Sequence, residues 1–204
     1  MLYQRRENKI GDIMANLFSI IIATIFVSNY VLGQFLGICP SLGVTSKVDT
    51  ARGMGLAVIF VITLASIITW IIQYYILNPL NIGFLQTVVF ILVIAALVQS
   101  VETVMKKSMP ALYGALGVFL PLITTNCVVL GVAIKAIDSS YTLIETIVYA
   151  LSASVGFMLA IMILAYIRER IEYNSLPETF KGVPITLVTL GLMAIAFMGF
   201  AGLA

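Results

Sequence analysis

Six stretches of the chain, near residues 14–36, 55–77, 82–101, 111–134, 143–167 and 183–203, are apolar almost throughout, and the charged side chains gather between them. A helix needs ~20 residues to cross the hydrocarbon core of a bilayer, so each stretch predicts one membrane span. Two of the stretches carry residues that interrupt a helix. Gly33-Gln34-Phe35-Leu36-Gly37 stands ahead of Cys39, and Pro40 and Gly43 follow it. Proline removes a backbone donor, and glycine tolerates unusual dihedrals. In the fourth stretch Pro121 is followed by Thr124, Thr125 and Asn126, whose side chains can satisfy backbone groups freed by a break. A plain kink at Pro121, with the threonines bonded one turn back, is the competing account. The pattern predicts an all-α membrane protein of six transmembrane helices, the first and fourth interrupted.

Both interruptions fall on a repeat. Cys39 to Lys47 and Cys127 to Lys135 share the frame C-x-x-L-G-V-x-x-K, a coincidence expected by chance on the order of once in ten thousand trials. The chain reads as one integral membrane domain over 14–204, built from two related halves near 14–103 and 110–204. Three spans per half is an odd number, so the second half enters the membrane inverted, with a pseudo-two-fold axis in the membrane plane. That symmetry brings Cys39 and Cys127 toward each other and sends Lys47 and Lys135 toward opposite faces.

Composition narrows the class further. Apolar residues are 61% of the chain and charged residues 10%, against roughly half and a quarter in soluble domains. A lone water-soluble core is excluded, and the short connections leave no room for a soluble domain. A net charge of +2 is too small to imply nucleic-acid binding. The connections after the first, third and fifth spans hold Lys47, Arg52, Lys106, Lys107, Arg168, Arg170 and Lys181. Their opposites are Arg5, Arg6, Lys9 and Lys135. The positive-inside rule then places both termini outside the cytoplasm. Met14 opens the first apolar stretch directly, so residues 1–13 read as an N-terminal extension. That stretch is too long for a cleavable signal and runs on into the cysteine frame.

Cys39 and Cys127 are the only cysteines, and there is no histidine. One disulfide is the most they can form. Thiolates are the normal ligands of iron–sulfur clusters, and a [2Fe–2S] centre takes four. A cluster here therefore requires a second subunit to supply the other two. Zinc has the same deficit, and its fixed oxidation state gives it no reason to sit in a membrane. The alternative is that both cysteines are small buried hydrophobes. Gly33 and Gly37 also form a G-x-x-x-G, which predicts close helix packing. Trp70, Tyr74 and Tyr173 read as interfacial anchors. Glu102 can pair with Lys106 one turn on or act as a cation or proton ligand. Arg168-Glu169-Arg170 with Glu172 reads as a solvated helix end.

Several segments resemble one family. Leu36-Gly37-Ile38-Cys39-Pro40, Phe90 to Ala95 with Val98, Gln99 and Glu102, and Phe119 to Cys127 are similar to the A subunit of the Rnf electron-transport complex, as are Arg168-Glu169-Arg170 and Gly191 to Gly202. A homologous subunit of the sodium-pumping NADH:quinone reductase shares the architecture. Leu130-Gly131-Val132 and Ala65-Ser66 with Trp70 look more like the Rnf version. The resemblance implies a six-span, inverted-repeat protein that pairs with a sister, the E subunit, and joins the other Rnf subunits in the lipid bilayer. It implies one intramembrane [2Fe–2S] cluster shared between the sisters, with Cys39 and Cys127 as this chain's ligands. Gly37, Pro40, Gly43, Thr125 and Asn126 would then shape the two turns and tune the centre. Glu102 is the candidate for cation handling. The complex so implied passes electrons between ferredoxin and NAD+, coupled to Na+ or H+ movement. This chain would be its non-catalytic relay, and no phosphate-cradling glycine motif is present. Ser41 departs from the family pattern, which has a bulky Phe after Cys-Pro and so predicts looser packing there. An ion or small-solute transporter without a metal is the rival, since inverted repeats with broken helices also build transport sites.

Overall fold

The computed structural model describes residues 17–80, 83–108, 120–174 and 177–199, and every regular element among them is helical. The N-terminal extension read at residues 1–13 lies outside the described residues, as do residues 111–119 of the fourth apolar stretch. In chain order the helices are α1 (Leu17–Val27), α2 (Ile38–Val44), α3 (Val48–Leu77), α4 (Gln86–Ser108), α5 (Leu120–Thr124), α6 (Cys127–Asp138), α7 (Leu143–Glu172) and α8 (Val183–Met198). Among the described residues three segments are long and apolar enough to cross a membrane: α3, α7 and the Gln86–Thr103 part of α4. α1 and α8 are shorter apolar helices.

Local chemistry explains where these helices begin. α3 starts at Val48 with Asp49 in its first turn, a negative charge placed at the positive end of the helix dipole. It therefore extends seven residues further back than its apolar stretch. α7 opens on a capping box, in which the Thr142 side chain accepts from the Glu145 backbone and Glu145 Oε2 accepts the Thr142 backbone N–H at 2.9 Å; the Thr142 hydroxyl also donates to Oε2 at 2.8 Å. Two orphan groups of the helix end are satisfied together.

The core forms between α3 and α7, which share the most extensive helix–helix contact of the described residues. Lipid is as apolar as leucine, so helices associate in it through close packing rather than a hydrophobic drive. The buried faces match that requirement. Ala51, Gly55 and Ala65 are buried on α3 and Ala150, Ala153 and Ala160 on α7, together with Val58, Ile62, Phe157 and Leu164. At Gly55 an added Cβ would stand 2.6 Å from Met158 Cγ, so that approach depends on glycine. The outward faces are also apolar: Leu56, Phe60, Leu92, Leu192 and Ile195 are all more than half exposed. Trp70 stacks on Tyr74 at 4.4 Å and donates its indole N–H to the Tyr141 carbonyl at 3.0 Å. It thereby ties α3 to the turn between α6 and α7.

The first apolar stretch is not one helix. It is regular to Val27 and then irregular over 28–37 before α2 begins. The second cysteine segment breaks at residues 125–126, between α5 and α6. Both interruptions expected from the composition are present. The G-x-x-x-G of Gly33 and Gly37 lies in the irregular segment and lines no helix face, but the close packing expected of it is present at Gly37, which lies against Val128 and Phe157.

Candidate metal centre

Asn29 organises the first break. It is 1% exposed, and its amide bonds three backbone groups around the break and one carbonyl of α7. Nδ2 donates to the carbonyls of Gly156 (2.8 Å) and Ile25 (3.2 Å), while Oδ1 accepts from the N–H groups of Val31 (3.0 Å) and Leu32 (3.4 Å). An asparagine offers donors and an acceptor on one short side chain, so it can replace helical bonding on both sides of a break. Nearby, the buried hydroxyls of Tyr30 and Tyr149 share a 2.5 Å hydrogen bond. The chain then passes through Phe35 at φ 54° and Gly37 at φ 80° into α2.

Gly37 could not be another residue here. Beyond its left-handed φ, an added Cβ would lie 2.7 Å from Val128 Cγ2 and 2.8 Å from Phe157 Cε2. With that space open, the Gly37 N–H reaches across the molecule and donates to Cys127 Sγ at 2.9 Å. One bond thus joins the turn ahead of the first frame to the cysteine of the second, across ninety positions of sequence.

Cys39 is the second residue of α2 and Cys127 the first of α6. Each thiol stands where the positive end of a helix dipole favours negative charge. Pro40 is buried in the first turn of α2, where a missing N–H costs no hydrogen bond. Asn126 caps α6, its Oδ1 accepting the Val128 N–H at 3.1 Å. Asn126 is 3% exposed, and its Nδ2 has no hydrogen-bond partner. Thr125 is exposed beside it. The glycines of the two frames make reciprocal contacts. An added Cβ on Gly43 would meet Leu122 Cδ1 at 3.3 Å, and one on Gly131 would meet Leu36 Cδ2 at 2.6 Å. Each frame's glycine therefore faces a leucine just ahead of the other frame's cysteine. Ser41, where the resemblance implies loose packing, is instead fully buried and donates its hydroxyl to the Gly37 carbonyl at 2.8 Å.

Glu169, Arg170 and Glu172 are exposed, as a solvated helix end requires, but Arg168 departs from that reading and enters the same neighbourhood. It is half-buried near the end of α7, and its Nη1 donates to the Leu42 carbonyl (3.0 Å) and to Thr45 Oγ1 (2.7 Å). Thr45 in turn donates to the Ser41 carbonyl. A guanidinium over the last carbonyls of α2 is a favourable helix C-terminal contact, worth about 0.3–1 kcal/mol where exposed and more when part-buried. Neither Arg168 nor Asn29 stands out in the sequence as a site residue, although an Asn inside an apolar run is a signal that points to the latter. Glu102 sits half-buried on α4 and makes none of the hydrogen bonds that join the two turns.

Among the described residues no three or more His, Cys, Asp or Glu side chains gather where they could hold a metal. Both cysteines are free and exposed on the surface of this chain. Two outward-facing thiols on helix N-termini, one already accepting a peptide N–H, suit half of a four-thiolate centre. The buried, unpartnered amide of Asn126 beside them adds a donor.

Residues 17–204 match the family model described as Rnf-Nqr subunit, membrane protein. The chain belongs to the Rnf-Nqr family. Its relatives include the A subunit of the Na+-translocating ferredoxin:NAD+ oxidoreductase complex of Acetobacterium woodii, 59% identical over 92% of this chain and 97% of that protein. The A subunit of the ion-translocating oxidoreductase complex of Syntrophotalea carbinolica is 53% identical over 93% of this chain and 98% of its own length. The corresponding protein of Aeromonas salmonicida is 50% identical over similar shares. As an Rnf-Nqr protein with long apolar helices, the chain is a membrane protein.

Proposed function

We propose that this chain is the A subunit of an ion-translocating ferredoxin:NAD+ oxidoreductase complex of the Rnf type, and that it holds half of an intramembrane [2Fe–2S] cluster. The observation that carries the cluster reading is the hydrogen bond from the Gly37 N–H to Cys127 Sγ, because it places the cysteine of one frame against the turn that presents the cysteine of the other. Cys39 and Cys127 are the iron ligands. Their exposure leaves room for two further thiolates from the sister E subunit, which faces this chain in the opposite orientation. A [2Fe–2S] centre supplies one-electron transfer, so electrons cross the bilayer in two short steps. The chain's own residues hold and tune it. The Gly37 N–H and the spare Asn126 amide stabilise negative charge on sulfur, Pro40, Gly43 and Thr125 shape the turns, and Val128 and Phe157 close the floor against water.

Six spans in two inverted repeats is the architecture we assign, with both termini outside the cytoplasm of a prokaryotic inner membrane. The frame shared by Cys39 to Lys47 and Cys127 to Lys135 supports it, because a duplication of three spans inverts the second half. Glu102 is our candidate for cation handling, with Na+ or H+ as the ion; Na+ is named for the Acetobacterium woodii relative.

The test is purification of the chain with its partner subunits. Iron, acid-labile sulfide and a reddish absorbance are expected, and each should be lost in Cys39→Ser and in Cys127→Ser. A colourless complex indifferent to Cys39→Ser would mean a transporter built on broken helices. Electron flow that survives Cys127→Ser would reduce the chain to a scaffold.

A further inference from the structure

We propose that Arg168 is a positioning residue for the Cys39 turn, holding this cysteine in register with Cys127 from the far end of α7. The inference rests on the reading of Cys39 as an iron ligand.

Cys39 stands on a helix of seven residues, too short to persist through its own hydrogen bonds. The last carbonyls of any helix lack intrahelical donors. In α2 two of them receive donors from side chains that Arg168 connects. Its Nη1 donates directly to the Leu42 carbonyl (3.0 Å) and to Thr45 Oγ1 (2.7 Å). Thr45, fully buried, donates its own hydroxyl to the Ser41 carbonyl. Ser41 then donates from Oγ to the Gly37 carbonyl at 2.8 Å, and the Gly37 N–H donates to Cys127 Sγ at 2.9 Å. A continuous series of hydrogen bonds therefore runs from the guanidinium along α2 to the sulfur of the other frame. Arg168 touches neither cysteine, so it acts only by fixing α2.

Geometry favours arginine over any other cation. Two acceptors, one carbonyl and one hydroxyl, lie within reach of a single guanidinium nitrogen, which presents its N–H groups in a fixed plane; an ammonium on a flexible stem does not. The charge is not sealed in apolar surroundings either. Arg168 lines a cavity of about 360 Å³ together with Ser46, Asn174 and Lys181. The residue therefore stands between a recess at the end of α7, which Glu172 also lines, and the cysteine turn.

Two measurements test this. The first uses the full chain in detergent after chelation of iron, with N-ethylmaleimide as the probe. Arg168→Gln should raise the rate of labelling at Cys39 several-fold while changing Cys127 less, and Arg168→Lys should fall between. The second uses the assembled complex, where Arg168→Gln should shift the midpoint potential and broaden the electron paramagnetic resonance signal of the reduced centre per iron bound. Should Arg168→Gln fail to accumulate, Thr45→Val, which removes the bridging hydroxyl at constant shape, should move both readouts in the same direction by less. Wild-type labelling and potential in Arg168→Gln would overturn the proposal. So would wild-type values in Thr45→Val when Arg168→Gln does not accumulate, since Arg168 would then only support folding. Failure of the cluster reading is seen separately, as a wild-type complex whose iron is unaffected by Cys39→Ser.

Discussion

Cys39 is reached through ten irregular residues and stands on a helix of seven, whereas Cys127 follows a break of two residues and opens a helix of twelve. The same sequence frame underlies both, and in both the cysteine sits in the first turn of a helix. What holds that turn differs. The Cys127 side is capped locally, by Asn126 bonding the Val128 N–H two residues on. The Cys39 side is tethered over long sequence distances: by Asn29 to Gly156, by Arg168 to Leu42 and Thr45, and by Gly37 to Cys127. A short helix cannot stand alone, so the rest of the fold must hold it. The same frame can thus keep its cysteine in the first turn of a helix while one copy takes its support from neighbouring residues and the other from distant helices.

Substitutions should separate the two kinds of support. The largest effect is expected at Gly37. Alanine there takes a left-handed φ at roughly 1–2 kcal/mol and overpacks against a β-branched Val128 and a fully buried Phe157 ring, adding about 1–3 kcal/mol. Gly37→Ala should lower the thermal midpoint of the detergent-solubilised chain sharply and disturb both cysteines at once, because Gly37 belongs to one turn and bonds the other. A mild loss confined to Cys39 labelling would break the claim that the turns are joined there. Asn29→Ala comes next, removing the acceptor of the buried Val31 and Leu32 N–H groups and the donor to the Ile25 and Gly156 carbonyls, at about 2–4 kcal/mol. Its damage should fall on Cys39. Asn126→Ala removes a single cap, at about 1 kcal/mol, and its damage should fall on Cys127. Labelling of the two thiols in the two variants checks this assignment, and equal effects on both would erase the distinction between local and long-range support.

Much of this arrangement can be read from residue type alone. The apolar stretches locate α3, α4, α7 and α8, because lipid imposes one length and one polarity on a spanning helix. Gly37, Pro40 and Asn126 identify the breaks, because each carries its conformational consequence in its own backbone or short side chain. Where the extension of the first stretch over residues 28–37 fails as helix, the cause is Asn29, whose amide competes for backbone groups across a sequence separation of 127. Arg168 is illegible for a related reason. A charged residue near the end of an apolar helix ordinarily faces water, and nothing beside it in sequence announces a carbonyl 126 positions earlier. Features that act through neighbouring residues are legible, and features that act through distant ones are not.

The smallest predicted effect tests whether helix stability limits the Cys39 side. Gly43 and Gly131 hold the same place in the frame, and alanine at either gains up to about 1 kcal/mol of helix propensity. At Gly43 the added methyl would meet only Leu122 Cδ1 at 3.3 Å, a side-chain end that can yield by a few tenths of an ångström. At Gly131 it would come within 2.6 Å of Leu36 Cδ2 and 3.4 Å of the Tyr30 ring, so most of the gain is offset by displacement of Leu36. α6 is already long and capped, and extra propensity adds little to it. In α2 the same increment acts on a seven-residue helix. Gly43→Ala should therefore slow maleimide labelling of Cys39 in the isolated chain by about two- to five-fold, the factor that ~0.4–1 kcal/mol gives if labelling follows opening of α2. Gly131→Ala should leave Cys127 labelling close to its starting rate. Faster labelling of Cys39 in Gly43→Ala would show that the turn is limited by packing against Leu122 rather than by the short helix, and the contrast between the two frames would have to be explained without helix length.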